Sequence, residues 1–168
     1  MAESLDIDKS LSDEAKYQQL IPQVESLLKS DEPLISNLAN VTAALKEAFE
    51  KISWVGFYLS DGNKLYLGPF QGKVACTVIE FSKGVCGTSV EKKETIIVEN
   101  VHKFPGHIAC DSGSNSEIVV PIIKGEIVYG VLDLDSYNFS AFNNIDKKYL
   151  QKLCLLLTEK FSFEKILL

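Results

Sequence analysis

"EIVVPIIKGEIVYGVLDLD", Glu117 to Asp135, holds two β-branched runs separated by Lys124 and Gly125. Runs of this kind around a glycine turn read as the two strands of a hairpin. Side chains alternate along a strand, so Asp133 and Asp135 project to one face while Leu132 and Leu134 project to the other. Pro121 has no N–H to give to a ladder and is expected at a strand edge or a bulge. Glu117 opens the partner strand. A three-residue connection at Lys124, Gly125 and Glu126 places Glu117 opposite Asp133, and a two-residue turn places it opposite Leu132. Gathering the three carboxyl groups on one face therefore requires the first register or a bulge. The bland reading of Asp133 and Asp135 is a solvated strand face that ends in a turn.

Upstream, "ISWVGFYLS", "DGN" and "KLYLGPF" (52–70) read as strand, turn and strand, a second hairpin. Trp54 and Tyr58 lie four apart in its first strand and share a face, with Gly56 leaving room between them. They serve either as core aromatics or as the wall of a binding box. Ser12, Asp13 and Glu14 are a helix-start signal before Tyr17, Leu20, Ile21, Val24, Leu27 and Leu28. Beyond Asp31 and Pro33, Leu34, Leu38, Val41, Leu45 and Phe49 share a second helical face. Leu150, Leu153, Cys154, Leu157 and Phe161 share a third, which makes Cys154 core filler. The stretch from Gly68 to Gly113 is less regular. Helices at both ends with hairpins between them predict an α+β domain, an antiparallel sheet with the N- and C-terminal helices packed on one face.

The 168 residues predict a single domain, with a helical N-terminal extension over about 1–30 and the core over about 31–165. No apolar run reaches the roughly 18 residues of a membrane span. The start "MAESLDIDKS" lacks the basic end and apolar stretch of an export signal, so a cytoplasmic location is expected. The net charge is -6 and all 17 basic residues are lysine. Without arginine or a clustered basic face, a nucleic-acid partner is not expected. An anionic ligand group must then be met by lysine, backbone amides or a helix N-terminus.

The four cysteines are Cys76, Cys86, Cys110 and Cys154. A cytoplasmic setting favours transient redox chemistry over a permanent disulfide framework. In "GVCGTS", Cys86 lies between glycines beside Thr88 and Ser89, which can cap a short following helix, and a thiol near a helix N-terminus is activated by the dipole; the bland reading is a glycine turn that happens to contain a small residue. Cys76, in "VACTVIEF", reads as buried when taken alone. Cys110, in "ACDSGSNS", lies in a polar loop that presents a thiol rather than hiding it, and His107 is either a plain loop residue or a group that tunes it. A zinc site from Cys76, Cys86, Cys110 and His102 or His107 lacks the local Cys-x-x-Cys or His-x3-His chelate of structural sites, so no metal is expected.

The segments "WVGFY", "GPFQGKVAC", "GVCGTS", "HIACDSGSNSEIVVPI" and "GVLDLDS", in this order and spacing, resemble the free methionine-(R)-sulfoxide reductases, small stand-alone enzymes with a GAF fold. The likeness covers roughly Tyr17 to Leu157. The resemblance implies reduction of free methionine-(R)-sulfoxide through a cysteine sulfenic acid and an intramolecular disulfide, recycled by thioredoxin without metal or organic cofactor. It implies Cys110 as nucleophile, Cys76 as its disulfide partner and Cys86 as an assisting or alternative redox cysteine. Glu117 is implied as proton donor to the sulfoxide oxygen, Asp133 and Asp135 as holders of the substrate ammonium, and Trp54 and Tyr58 as the cradle of the methylsulfinyl group. Backbone amides of the Cys110 to Glu117 loop would take the substrate carboxylate. The rival expectation is a ligand-sensing GAF module without catalysis, which has no obvious use for three cysteines and, in a chain ending at Leu168, no attached output segment. The C-terminal helix as an assembly device, including a homodimer, is left open.

Overall fold

A computed structural model describes residues 4–108 and 111–165. Helix α1 (Asp13–Leu27) starts where the sequence predicts, with the Ser12 hydroxyl accepting from the Ala15 amide and two acids in the first turn. Helix α2 (Leu34–Ala48) follows Pro33. Strands β1 (Trp54–Ser60) and β2 (Lys64–Gln71) form the first hairpin. The irregular stretch contains short β3 (Val78–Glu80), helix α3 (Gly84–Lys92) and short β4 (Ile96–Val98). Strands β5 (Ser116–Lys124) and β6 (Ile127–Ser136) form the second hairpin, and α4 (Asn144–Lys160) closes the fold behind an Asn143/Asp146 capping box.

The sheet is antiparallel throughout, in the order β3-β2-β1-β6-β5-β4. Its centre is the non-consecutive pair β1–β6. Gly130 makes that pair possible, because a Cβ there would collide with the Tyr58 carbonyl. One face carries Val55, Phe57, Leu59, Ile118, Val120, Leu132 and Leu134 against α1, α2 and α4. Each large apolar side chain buried there contributes about 1.5–3 kcal/mol. Tyr17 of α1 and Cys154 of α4 belong to this same core, as their helical spacing predicts. The terminal helices thus lie together on one face, and the additional helix α3 covers the other.

The β5–β6 register differs from both predicted alternatives. The turn is the two residues Gly125 and Glu126, and Tyr129 is an extra residue on β6, since Ile123 pairs with Val128 but Ile122 with Gly130. This bulge moves Glu117 opposite Asp135 and Val119 opposite Asp133. Parity is preserved, so all three carboxyl groups share the α3 face. Pro121 lies beyond Val119, the last β5 residue paired with β4, where β5 has become the sheet edge. Among the described residues no helix is long and apolar enough to cross a membrane.

Candidate active site

The α3 face of the sheet presents a short grid of side chains. Across β1, β6 and β5, one row is Trp54, Asp135 and Glu117, and the next is Gly56, Asp133 and Val119. Trp54 stacks on Phe70 at 5.5 Å and lies 6.0 Å from the Tyr58 ring. The Trp54 ring occupies the space that a side chain at Gly56 would need, so the glycine is what lets the aromatic wall fold over the sheet. Helix α3 then closes the cavity with Cys86 in its first turn, while Val74 and Ile108 flank it from two loops. The cavity is partly open to solvent, and its narrow interior of about 30 Å³ has room for one or two waters.

Inside, the Cys86 thiol donates to Asp133 Oδ2 at 3.3 Å, and His107 Nε2 lies 3.6 Å from Glu117 Oε2. Asp133 is 6% exposed and Glu117 5%. Burial, with Asp135 close by, pushes the Glu117 carboxyl well above the usual range. Burial and then Glu117 do the same to Asp133. Asp135, chiefly through burial, is raised to about 6. Burial lowers His107, so the imidazole is the favoured form and its contact with Glu117 is not a full ion pair. No hydrogen-bond donor among the described residues reaches buried Asp133 Oδ1.

Cys86 departs from its expected activation. It does sit in the first turn of a helix, but burial and the carboxyls of Asp133 and Glu117 push its thiol well above the ordinary value, outweighing the dipole. Thr88 and Ser89 lie inside α3 and do not cap it: Thr88 bonds back to the Gly84 carbonyl and Ser89 to that of Glu94. Lys83 is the cap residue and makes no side-chain capping bond. Three of the amides expected to receive a carboxylate are committed, those of Gly113 and Ser114 to Asp111 and that of Asn115 to Ser136.

Cys76 is half-buried at the edge of this cluster and is disulfide-bonded, whereas Cys86 and Cys154 are free thiols. Cys110 lies outside the described residues, and so does its relation to His107. His102 stays away from the cavity, hydrogen-bonded to Asn115 and edge-on to Phe139. Asp111, Lys73 and Tyr137 form a clasp that sequence reasoning missed. Lys73 reaches Asp111 at 3.4 Å and lies over the Tyr137 ring, and the Tyr137 hydroxyl donates to Asp111 at 2.8 Å. The clasp ties the loop after β2 to the loop before β5. Its partners come from three separate segments, so no local spacing announces it.

A GAF-domain model matches residues 36–158, and the chain belongs to the GAF-domain family. GAF domain-containing protein A of Dictyostelium discoideum is 54% identical over 158 residues, 94% of this chain and 99% of that one. The free methionine-R-sulfoxide reductase of Saccharomyces cerevisiae is 42% identical, covering 97% of this chain and 95% of its own length. The structure of the Neisseria meningitidis free methionine-R-sulfoxide reductase in complex with its substrate superposes with a TM-score of 0.87 at 45% identity, covering 96% of each chain. Within the GAF proteins, this chain belongs to the free methionine-R-sulfoxide reductases.

Proposed function

We propose that this chain reduces free methionine-(R)-sulfoxide to methionine, with Cys110 as nucleophile, Cys76 as resolving cysteine and a thioredoxin-class dithiol as reductant. The observation that carries the reading is the convergence of three buried carboxyl groups and an aromatic wall on one cavity, beside a cysteine that is already disulfide-bonded. The Cys110 thiolate attacks the electrophilic sulfur while Glu117 protonates the sulfoxide oxygen. The oxygen passes to Cys110, leaving methionine and a sulfenic acid. Cys76 displaces that oxygen as water and forms the disulfide, and the dithiol returns two electrons and two protons. No cofactor enters these steps.

Asp133 and Asp135 take the substrate ammonium, and Trp54 and Tyr58 flank the methylsulfinyl group. The substrate carboxylate goes to Lys83 and the first-turn amides of α3, which no side chain caps. Cys86 assists by donating its thiol hydrogen to Asp133. A pocket that engages both charges at one carbon selects the free amino acid over a peptide. A cytoplasmic setting would supply the dithiol.

The test is thioredoxin-coupled NADPH oxidation with free (R)-sulfoxide, free (S)-sulfoxide and an N-acetylated (R) substrate, each alone. Turnover with the first only is expected, and silence on all three by folded, reduced protein would return the chain to the ligand-sensing reading. Cys110→Ser should abolish methionine release in a single turnover. Near-stoichiometric release from that variant would move the nucleophile elsewhere.

A further inference from the structure

We propose that Cys86, Asp133, Glu117 and His107 form a site for one zinc-class divalent cation, which occupies the cavity when no amino acid is bound. The four donors reach the cavity from α3, β6, β5 and the loop before β5. Single donor atoms of Cys86, Glu117 and Asp133 all lie within 4.8 Å of one another. Bond lengths of about 2.0–2.3 Å put the ligand atoms of tetrahedral zinc about 3.5 Å apart. Two pairs already have that spacing, Cys86 with Asp133 at 3.3 Å and His107 with Glu117 at 3.6 Å. Zinc binding would draw the two pairs together around one ion.

A second observation points to a cation. Asp133 Oδ1 is buried and without a hydrogen-bond donor among the described residues, so an acceptor is held ready in the cavity wall. The donor set selects the ion. A thiol and an imidazole beside two carboxyls suit zinc and cadmium, whereas magnesium and calcium want an all-oxygen shell. Size agrees, because about 30 Å³ admits an ion. On binding, the thiol proton and any proton held by the carboxyls leave to solvent, and no electrons move. This set differs from the zinc arrangement considered from sequence, since Cys76 is tied up in a disulfide. An ion seated here uses the carboxyl oxygens that an ammonium group would need, so occupancy excludes an amino-acid ligand.

Oxidised protein, in which Cys76 offers no thiolate, is titrated with zinc against a chromophoric chelator. One equivalent per chain is expected to bind, and Cys86→Ser and Asp133→Asn are each expected to weaken it by more than about tenfold. Cys154→Ala, remote in the other core, should leave affinity unchanged. Cadmium should give a thiolate-to-metal absorption band that Cys86→Ser lacks and Cys154→Ala keeps. Should Cys86→Ser fail to fold, as judged by circular dichroism and melting, Asp133→Asn and the cadmium band decide. Absence of stoichiometric binding to the unaltered protein, or binding indifferent to a folded Cys86→Ser, overturns the proposal. The readout is binding alone, so it stands or falls separately from sulfoxide turnover.

Discussion

The Tyr58 hydroxyl donates a 3.0 Å hydrogen bond to the main-chain carbonyl of Cys76. Trp54 repeats the arrangement with its indole N–H on the Lys73 carbonyl at 3.0 Å. The aromatic wall and the segment that carries the disulfide-bonded cysteine are therefore one mechanical unit. Replacing Tyr58 by Phe keeps the ring and removes one bond with a net worth of about 0.5–1.5 kcal/mol. Disulfide formation after a single turnover should slow by about two- to tenfold, followed by quenched-flow mass analysis. An unchanged rate would reduce Tyr58 to a wall residue.

Glu117 is buried against Asp133 and Asp135, with its carboxyl held toward the protonated form. Glu117→Gln keeps the shape and the hydrogen-bonding capacity but cannot give up a proton. Single-turnover methionine release should fall by about 10²–10⁴-fold, with little change in substrate affinity. A rise in KM with kcat intact would make Glu117 a binding group only.

Cys86 is buried as a protonated thiol despite its place in the first turn of α3. Since the thiolate is the reactive form, native oxidised protein should take up no iodoacetamide at Cys86 or Cys154 at neutral pH. Both should label fully once the chain is unfolded. Peptide mass mapping reads the result, and rapid labelling of Cys86 in the native protein would show that an activated thiol exists.

Tyr17 is buried and donates to Asp146, and burial followed by that carboxylate raises its hydroxyl well above the usual 10.0. Below that value both folded and unfolded chains hold the proton, so its contribution is fully present. Above it the unfolded chain releases the proton first, and stability falls as pH rises. Each such group adds a slope of about 1.4 kcal/mol per pH unit. Tyr17→Phe should remove that increment between pH 10 and 11, measured by urea unfolding, and an unaltered alkaline slope would contradict it.

Much of this was legible in local periodicity. Tyr17 through Leu28 and Leu150 through Phe161 declare helical faces, and Leu132 and Asp133 declare opposite sheet faces, because side-chain direction repeats every 3.6 or 2 residues whatever lies beyond. The joint orientation of Trp54 with Tyr58, and of Asp133 with Asp135, followed from the same rule. Three features did not. The β1–β6 pairing joins segments far apart in the chain, and no local pattern names a distant partner. The Tyr129 bulge, which brings Glu117 opposite Asp135, is a single extra residue that the hydrophobic pattern tolerates in either strand. The state of Cys86 is not legible locally, because a helix N-terminus is visible in sequence, whereas the carboxyls that press on the thiol arrive from β5 and β6. Sequence alone determined which side chains share a face. Only the tertiary structure decided which faces meet, and hence how much water each carboxyl and thiol loses, since burial is set by non-local packing and burial is what shifts their protonation.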